Sequence, residues 1–218
     1  FLGNFLTQSS GYMLVWDGYD KAYIPLNNES STTIGQTYNI DPFITYMNPN
    51  NRHSLKTRYL KVINDNSTNG EDNMQDNESD LFYVDYQWQR HLKQYDLRIT
   101  TGITNEMVSA TSDLFNGNYS RSNHAIYTQL DKKWRKFNFS FGTRYEHFRV
   151  SSTDNYLNAN GDSINNTSTG RPVFRMGANY KMGETTFLRT SWGQGFRFPS
   201  IAEMFISAQA VGLEIFNN

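Results

Sequence analysis

The residues able to do chemistry are scattered along the chain, and one stretch alone has metal-ligand spacing. Asp65, Ser67, Asn69 and Asp76 stand at positions one, three, five and twelve of a run with Gly70 at its turn. That is the spacing of oxygen ligands in a calcium loop. Asp76 replaces the usual bidentate Glu, and no helical period flanks the run. An ordinary solvated loop is therefore the preferred reading, since Asn- and Asp-rich stretches produce such spacing by chance. His53, His91, His124 and His147 fall on separate segments, none at i, i+2 or i, i+4 from another, a poor pattern for haem or metal ligation. No nucleophile elbow, phosphate loop or carboxylate pair stands in a context that would make an enzyme. The absence of cysteine excludes disulfides and thiolate sites. A net charge of -1 provides no basic surface for nucleic acid.

The remaining charges sit on alternating segments. Leu97, Ile99, Thr101 and Ile103 alternate with Arg98, Thr100, Gly102 and Thr104. Phe137, Phe139, Phe141 and Thr143 alternate with Asn138, Ser140, Gly142 and Arg144. Phe82–Gln89 and Phe174–Lys181 repeat the pattern, and fainter strands run near Ser9–Trp16, Gln36–Met47, His53–Ile63, Asn123–Leu130 and Thr185–Phe196. A period of two marks strands with one apolar and one polar face. Arg98, Arg144, Glu146, Arg175 and Arg189 all fall on the polar face. They either pair with acids such as Asp96 and Glu146 or form a track for an anionic ligand; the first reading is preferred.

Aromatics make up 15 % of the chain, hydrophobic residues only 37 %, and mean hydropathy is -0.68. A two-faced membrane wall reconciles many rings with a polar average. No apolar run is long enough for a transmembrane helix. The connections Asn64–Asp80, Val108–Ser122 and Ser151–Arg171 read as long polar loops. Those around Asn48–Asn51, Arg90–Gln94, Asp131–Lys136 and Met182–Glu184 read as short turns. Alternating long and short connections are the pattern of an outer-membrane barrel. The expected fold is all-β: an antiparallel up-and-down meander of about eight or nine strands, part of a transmembrane outer-membrane β-barrel. Tyr46, Tyr59, Trp88, Tyr95, Trp134, Phe137, Tyr145 and Tyr180 are expected to form interfacial girdles.

The run Ser191-Trp192-Gly193-Gln194-Gly195-Phe196-Arg197-Phe198-Pro199-Ser200-Ile201-Ala202-Glu203-Met204-Phe205 resembles a signature of TonB-dependent outer-membrane receptors, S-x-G-x-G-F-R-x-P-S-x-x-E-x-F/Y. A second stretch, Gly117-Asn118-Tyr119 followed by Asn123–Gln129, Lys133-Trp134 and Ser140–Glu146, is similar to Bacteroidetes-type receptors. In physical terms, Gly193 and Gly195 clear the polar face so that another backbone can approach. Phe196 and Arg197 follow, with Arg197 fixing a charge where the strand leaves the membrane. Pro199 ends ladder pairing, and Ser200 is placed to cap a short turn reaching Glu203. A structural junction is preferred over ligand contact.

The resemblance implies a 22-stranded barrel closed by a plug in the outer membrane of a Gram-negative cell. The TonB complex acts on that plug to drive uptake of a ferric siderophore or similar metal chelate, haem, cobalamin or an oligosaccharide. Residues 1–218 would then be a partial barrel without plug or signal peptide, its first and last strands left as open edges. The polar-face arginines would meet plug residues or cargo, and outer-membrane lipid would cover the apolar face. Two rival functions stay open: a passive porin, and a soluble surface β-protein that binds glycans.

Overall fold

The computed structural model describes residues 1–13, 15–21, 23–26, 29–72, 75–112, 117–152, 166–201, 203, 208–210 and 213–215. Its strands are β1 (Leu2–Tyr12), β2 (Ser31–Asp41), β3 (Phe43–Met47), β4 (Asn51–Thr68), β5 (Glu71–Asp72), β6 (Asn77–Leu92), β7 (Leu97–Ser112), β8 (Gly117–Trp134), β9 (Phe137–Ser152), β10 (Asn166–Lys181) and β11 (Phe187–Gly193). They form one 11-stranded sheet in the order β1-β2-β4-β6-β7-β8-β9-β10-β11, with β3 and β5 both paired to β4. Every pairing is antiparallel. β12 (Ala208–Ala210) and β13 (Leu213–Ile215) form a separate hairpin. The sheet is open: β1 and β11 do not pair with each other.

The strand count exceeds the eight or nine expected for two local reasons. Pro42 has no N–H to donate, so it divides Gln36–Met47 into β2 and β3 on one register. Its carbonyl still accepts from the Thr57 N–H at 3.0 Å. The short β5 folds back on β4 past the Asn69-Gly70 turn, where both residues have positive φ.

The polar connections are shorter than their composition suggests. β4 continues to Thr68 and β6 begins at Asn77, while β7 and β8 extend to Ser112 and back to Gly117. Residues 113–116 and 153–165, inside two of the expected loops, lie outside the described residues, as do 73 and 74. The strict alternation of long and short connections therefore fails, because four residues separate β7 from β8. The cause is visible in the ladder. Ser31–Thr68, Thr33–Asn66, Asn64–Asn77 and Ser120–Ser151 are hydrogen-bonded across strands. Polar residues on both faces sustain a strand in water as long as their groups are paired.

The pairings fix which side chains share a face. One face carries rungs such as Ile99–Leu130–Phe141–Met176–Trp192 and Ile103–Ile126–Tyr145. The other carries Arg98–Asp131–Ser140–Gly177–Ser191 and Thr100–Gln129–Gly142–Arg175–Gly193. The apolar face is bare: Ile126 is 57 % exposed, Ile103 55 % and Met176 50 %. Each such side chain left in water forgoes about 1.5–3 kcal/mol of burial. On β7 the band runs from Leu97 to Met107. Ten steps of about 3.4 Å cover about 34 Å, which a tilt of about 45° reduces to about 24 Å, close to the apolar height of an outer-membrane barrel.

The expected girdle is partly realised. Trp134, Phe137 and Tyr180 stack at one end of the sheet, with centroids 6.2 Å and 4.6 Å apart. Tyr145 and Trp88 lie mid-strand, and the Tyr145 ring covers Gly170. On the polar face Tyr127 covers Gly102: a Cβ there would stand 2.5 Å from the Tyr127 ring and from the Tyr86 carbonyl. Gly102→Ala should therefore cost about 1–3 kcal/mol in denaturant unfolding, the range for overpacking. Removing the ring as well, in Gly102→Ala/Tyr127→Ala, should not restore full stability, because the Tyr86 carbonyl remains. A neutral Gly102→Ala would contradict this packing.

Candidate functional site

The polar face is a ladder of basic side chains. Arg98, Arg175, Arg144, Arg171, Arg58 and Arg121 occupy six successive rungs. Arg189 lies one rung beyond Arg98, opposite Asn179. Three of these cations have partners. Arg58 makes a two-point bond to Asp41 at 2.7 Å and 2.7 Å, Arg121 pairs with Glu106, and Arg144 Nε donates to Glu146. Arg144 also donates to Thr104 Oγ1 at 3.0 Å and lies 5.7 Å from the centre of the Tyr127 ring. The Tyr127 hydroxyl in turn donates to Asp85 at 3.1 Å and accepts from Gln87 at 3.2 Å. Among the described residues Arg98, Arg171, Arg175 and Arg189 have no ion pair. The expected Arg98–Asp96 ion pair does not form.

Among the hollows on this face, two gather the predicted lumen-facing residues. The lower, of about 680 Å³, is lined by His91, Arg98, Asp131, Asn138, Asn179 and Arg189 among others. One atom in it, Asn179 Oδ1, is buried without a hydrogen-bond partner. The upper, of about 360 Å³, brings Tyr127, Arg144, Glu146 and Arg175 together with Gln194 and Phe196. The sequence-predicted lumen candidates thus divide between two places on one wall, Arg98 and Arg189 below, Arg144, Glu146 and Arg175 above.

Residues 191–201 end β11 and fold over the polar face. Gln194 closes the ladder: its N–H donates to the Phe174 carbonyl at 3.0 Å, and its side-chain carbonyl accepts from the Phe174 N–H at 3.1 Å. Strand pairing therefore stops at Gln194, ahead of Pro199. Ser200 and Glu203 form a reciprocal capping box. Glu203 N–H donates to Ser200 Oγ at 3.2 Å, and Ser200 N–H donates to Glu203 Oε2 at 2.7 Å. Arg197 adds an ion pair to the other Glu203 oxygen. Ala202, Met204 and Phe205 lie outside the described residues.

The glycines of this run act differently from expectation. A Cβ at Gly193 would meet the aliphatic stem of Arg175 at 3.3 Å, not another backbone, and at Gly195 nothing lies within 4 Å. Sequence reasoning also missed the variable positions of the run. Phe198 stacks on Phe148 at 4.4 Å, and Phe196 meets Phe198 edge-on at 4.8 Å. Ile201 completes a buried cluster with Ala110, Tyr119, Phe148 and Val150. The signal available was the apolar pair Phe198 and Ile201 flanking Pro199-Ser200.

Arg197 and the Ser200 N–H hold the Glu203 carboxyl at about 2, below its ordinary 4.5. A lowered folded value means the contribution is complete above pH 4.5 and is lost as pH falls towards 2. The carboxyl carbon shift of Glu203 should titrate with a midpoint near 2. A midpoint at 4.5 would show that the capping box does not hold the turn.

The calcium-spaced residues are spread along a hairpin. Asp65 and Ser67 lie on β4 opposite Ile34 and Thr32, and Asn69 Oδ1 accepts from the Ser30 N–H at 3.0 Å. Asp76 Oδ1 accepts from the Asn66 N–H at 2.7 Å. Among the described residues no three acidic or histidine side chains gather as a metal site.

A family model described as "TonB dependent receptor-like, beta-barrel" matches residues 3–217. The chain belongs to that family. No curated protein matches it. TonB-dependent receptors are outer-membrane transporters, so the sheet is barrel wall of an outer-membrane receptor and the basic ladder belongs to a transport protein. No helix among the described residues is long and apolar enough to cross a membrane, which leaves crossing by strands untouched.

Proposed function

We propose that this receptor barrel takes up a ferric siderophore or a similar anionic metal chelate, energised by the TonB complex acting on a plug that fills the lumen. The observation that carries the reading is the basic ladder, with a cation on every rung from Arg98 to Arg121. An anion moving along such a face passes from one positive group to the next, and low-dielectric walls strengthen the attraction. On this reading the polar face is the lumen and the apolar face meets lipid. The lower hollow, with Arg98, Arg189 and the unpartnered Asn179 oxygen, offers donors and an acceptor to the plug. The free edges of β1 and β11 need further strands, because unpaired N–H and C=O groups are not tolerated against lipid. The end of the sheet where β4, β7, β8 and β9 outrun the apolar band faces the exterior.

Uptake of an iron-labelled anionic chelate by cells carrying the whole receptor tests this. Uptake should require TonB and fall several-fold in Arg175→Ala, whose cation has no acid partner on the wall. TonB-independent passage limited only by solute size would make the protein a porin. TonB-dependent uptake of haem, cobalamin or an oligosaccharide, indifferent to Arg175, would replace the cargo. Partition of the whole protein into water without detergent would favour the glycan-binding alternative.

A further inference from the structure

The apolar face is not uniformly apolar, and its one interruption has a defined chemistry. On β4, β6 and β7 the band extends outward through Tyr59, Phe82 and Met107. On β8, β9 and β10 it stops earlier. Beyond the Ile103–Ile126–Tyr145 rung the next carries His124 directly opposite His147, and the one after that carries Arg149 between Ser122 and Ser168. Directly opposed side chains have Cβ atoms about 4.5–5.5 Å apart. Both histidines and Arg149 are exposed. The result is a basic, hydroxyl-rich notch cut into the outward end of a lipid-facing surface.

Beneath it lies a hollow of about 430 Å³ lined by Ile103, Ile126 and Tyr145 at the apolar end and by Asn105, His124 and His147 at the polar end. Asn105 Oδ1 is buried there without a hydrogen-bond partner. Nothing among the described residues neutralises the notch. Arg149 donates to Asn166 at 3.0 Å and has no ion pair. The acids nearest in height on this face, Glu78 and Asp80, stand on β6. Lys61 pairs with both, and the Tyr59 hydroxyl donates to Asp80 at 2.5 Å.

We infer that His124, His147 and Arg149 form a binding site for the phosphate of a phosphorylated glycolipid in the outer leaflet, with an acyl chain lying in the hollow below. The choice of occupant follows from three properties of the surface. Its position in the apolar band selects a lipid. Its uncompensated cationic and imidazole groups select an anion, and phosphate accepts several charge-assisted hydrogen bonds at once. The surrounding Ser122, Ser168 and unpartnered Asn105 oxygen suit the hydroxyl groups of a sugar better than a bare phosphodiester. Arg149 two positions from His147 on the same face opposes a divalent cation between the two imidazoles.

The inference rests on the orientation proposed above, with this face in lipid and the 153–165 connection outside. Protease cleavage within 153–165 in intact cells reads that orientation separately, and TonB-driven uptake reads the cargo assignment. The site itself is tested on the full-length receptor in phosphatidylcholine nanodiscs doped with diphosphorylated lipid A, dephosphorylated lipid A or phosphatidylglycerol, with retained lipid counted by native mass spectrometry. Diphosphorylated lipid A should be retained in preference to the other two. His124→Ala/His147→Ala/Arg149→Ala should lower its retention at least about tenfold, the loss expected when charge-assisted bonds disappear. Arg149→Lys should keep most of it, and uptake of cargo should be unchanged in both variants, which shows that they fold. Equal retention by the triple variant, or equal retention of the dephosphorylated lipid, overturns the assignment. Preference for phosphatidylglycerol overturns the glycolipid, and stoichiometric zinc binding lost in His124→Ala overturns the anion.

Discussion

Phe148→Ala is expected to destabilise the receptor by about 3–5 kcal/mol, the cost of emptying a buried aromatic site. Phe148 is 2 % exposed, in a cluster with Ala110, Tyr119, Val150 and Ile201, and it stacks on Phe198. This cluster is where residues 194–201 are held against the barrel wall. Losing the ring removes both its burial and the surface on which Phe198 lies. The consequence is local as well as global: the turn should lift from the polar face, exposing the bond after Arg197 to trypsin. Denaturant unfolding of the purified receptor gives the first number, and the rate of cleavage at Arg197 gives the second. Phe148→Leu, which keeps most of the apolar volume, should lose far less. A Phe148→Ala variant as stable and as resistant as the parent would show that the run is held by its capping box alone.

Leu130→Arg should cost about 2–4 kcal/mol, the penalty for a cation near the midplane of a barrel's lipid face. Leu130 stands near the middle of the apolar band of β8, between Ile99 and Phe141, and is 37 % exposed. Gln129→Arg on the same strand points to the opposite face beside Gly142 and Thr100 and should be near neutral. The contrast decides the register, since a slip of one residue would exchange the two outcomes. Unfolding titrations in lipid vesicles measure both, and equal costs would contradict a two-faced wall.

Much of this architecture was legible in the sequence because a period of two is a strong signal. Leu97, Ile99 and Ile103 against Arg98, Thr100 and Gly102 leave one arrangement that shields the first set and wets the second. The strand ends were not legible. Thr68, Asn77 and Asn118 read as loop because they are polar, yet their groups pair across strands and prolong the ladder. The site was legible in outline. Ser200 and Glu203 at three-residue spacing announce a capping box, and the alternation places the arginines on one face. What spacing cannot convey is which neighbours meet in three dimensions. Arg144 finds Glu146 and Tyr127, Arg175 stretches over Gly193, and Phe198 finds Phe148 fifty residues earlier. The same holds for Gly102, whose purpose appears only once Tyr127 is seen lying across it.

In the proposed orientation these strands cross a membrane with one face in lipid and the other in an aqueous lumen. These 218 residues contain no cysteine, so single cysteines can be placed at will for spin labelling. Labels at successive positions from Leu97 to Met107 of β7, in the membrane-embedded receptor, should alternate strictly. Odd positions should relax with oxygen dissolved in lipid and even positions with a water-soluble metal chelate, the two profiles running in antiphase with a period of two. Access to the water-soluble agent at every position, or a reversed phase that puts Ile99 and Ile103 in water and Arg98 in lipid, would contradict the account.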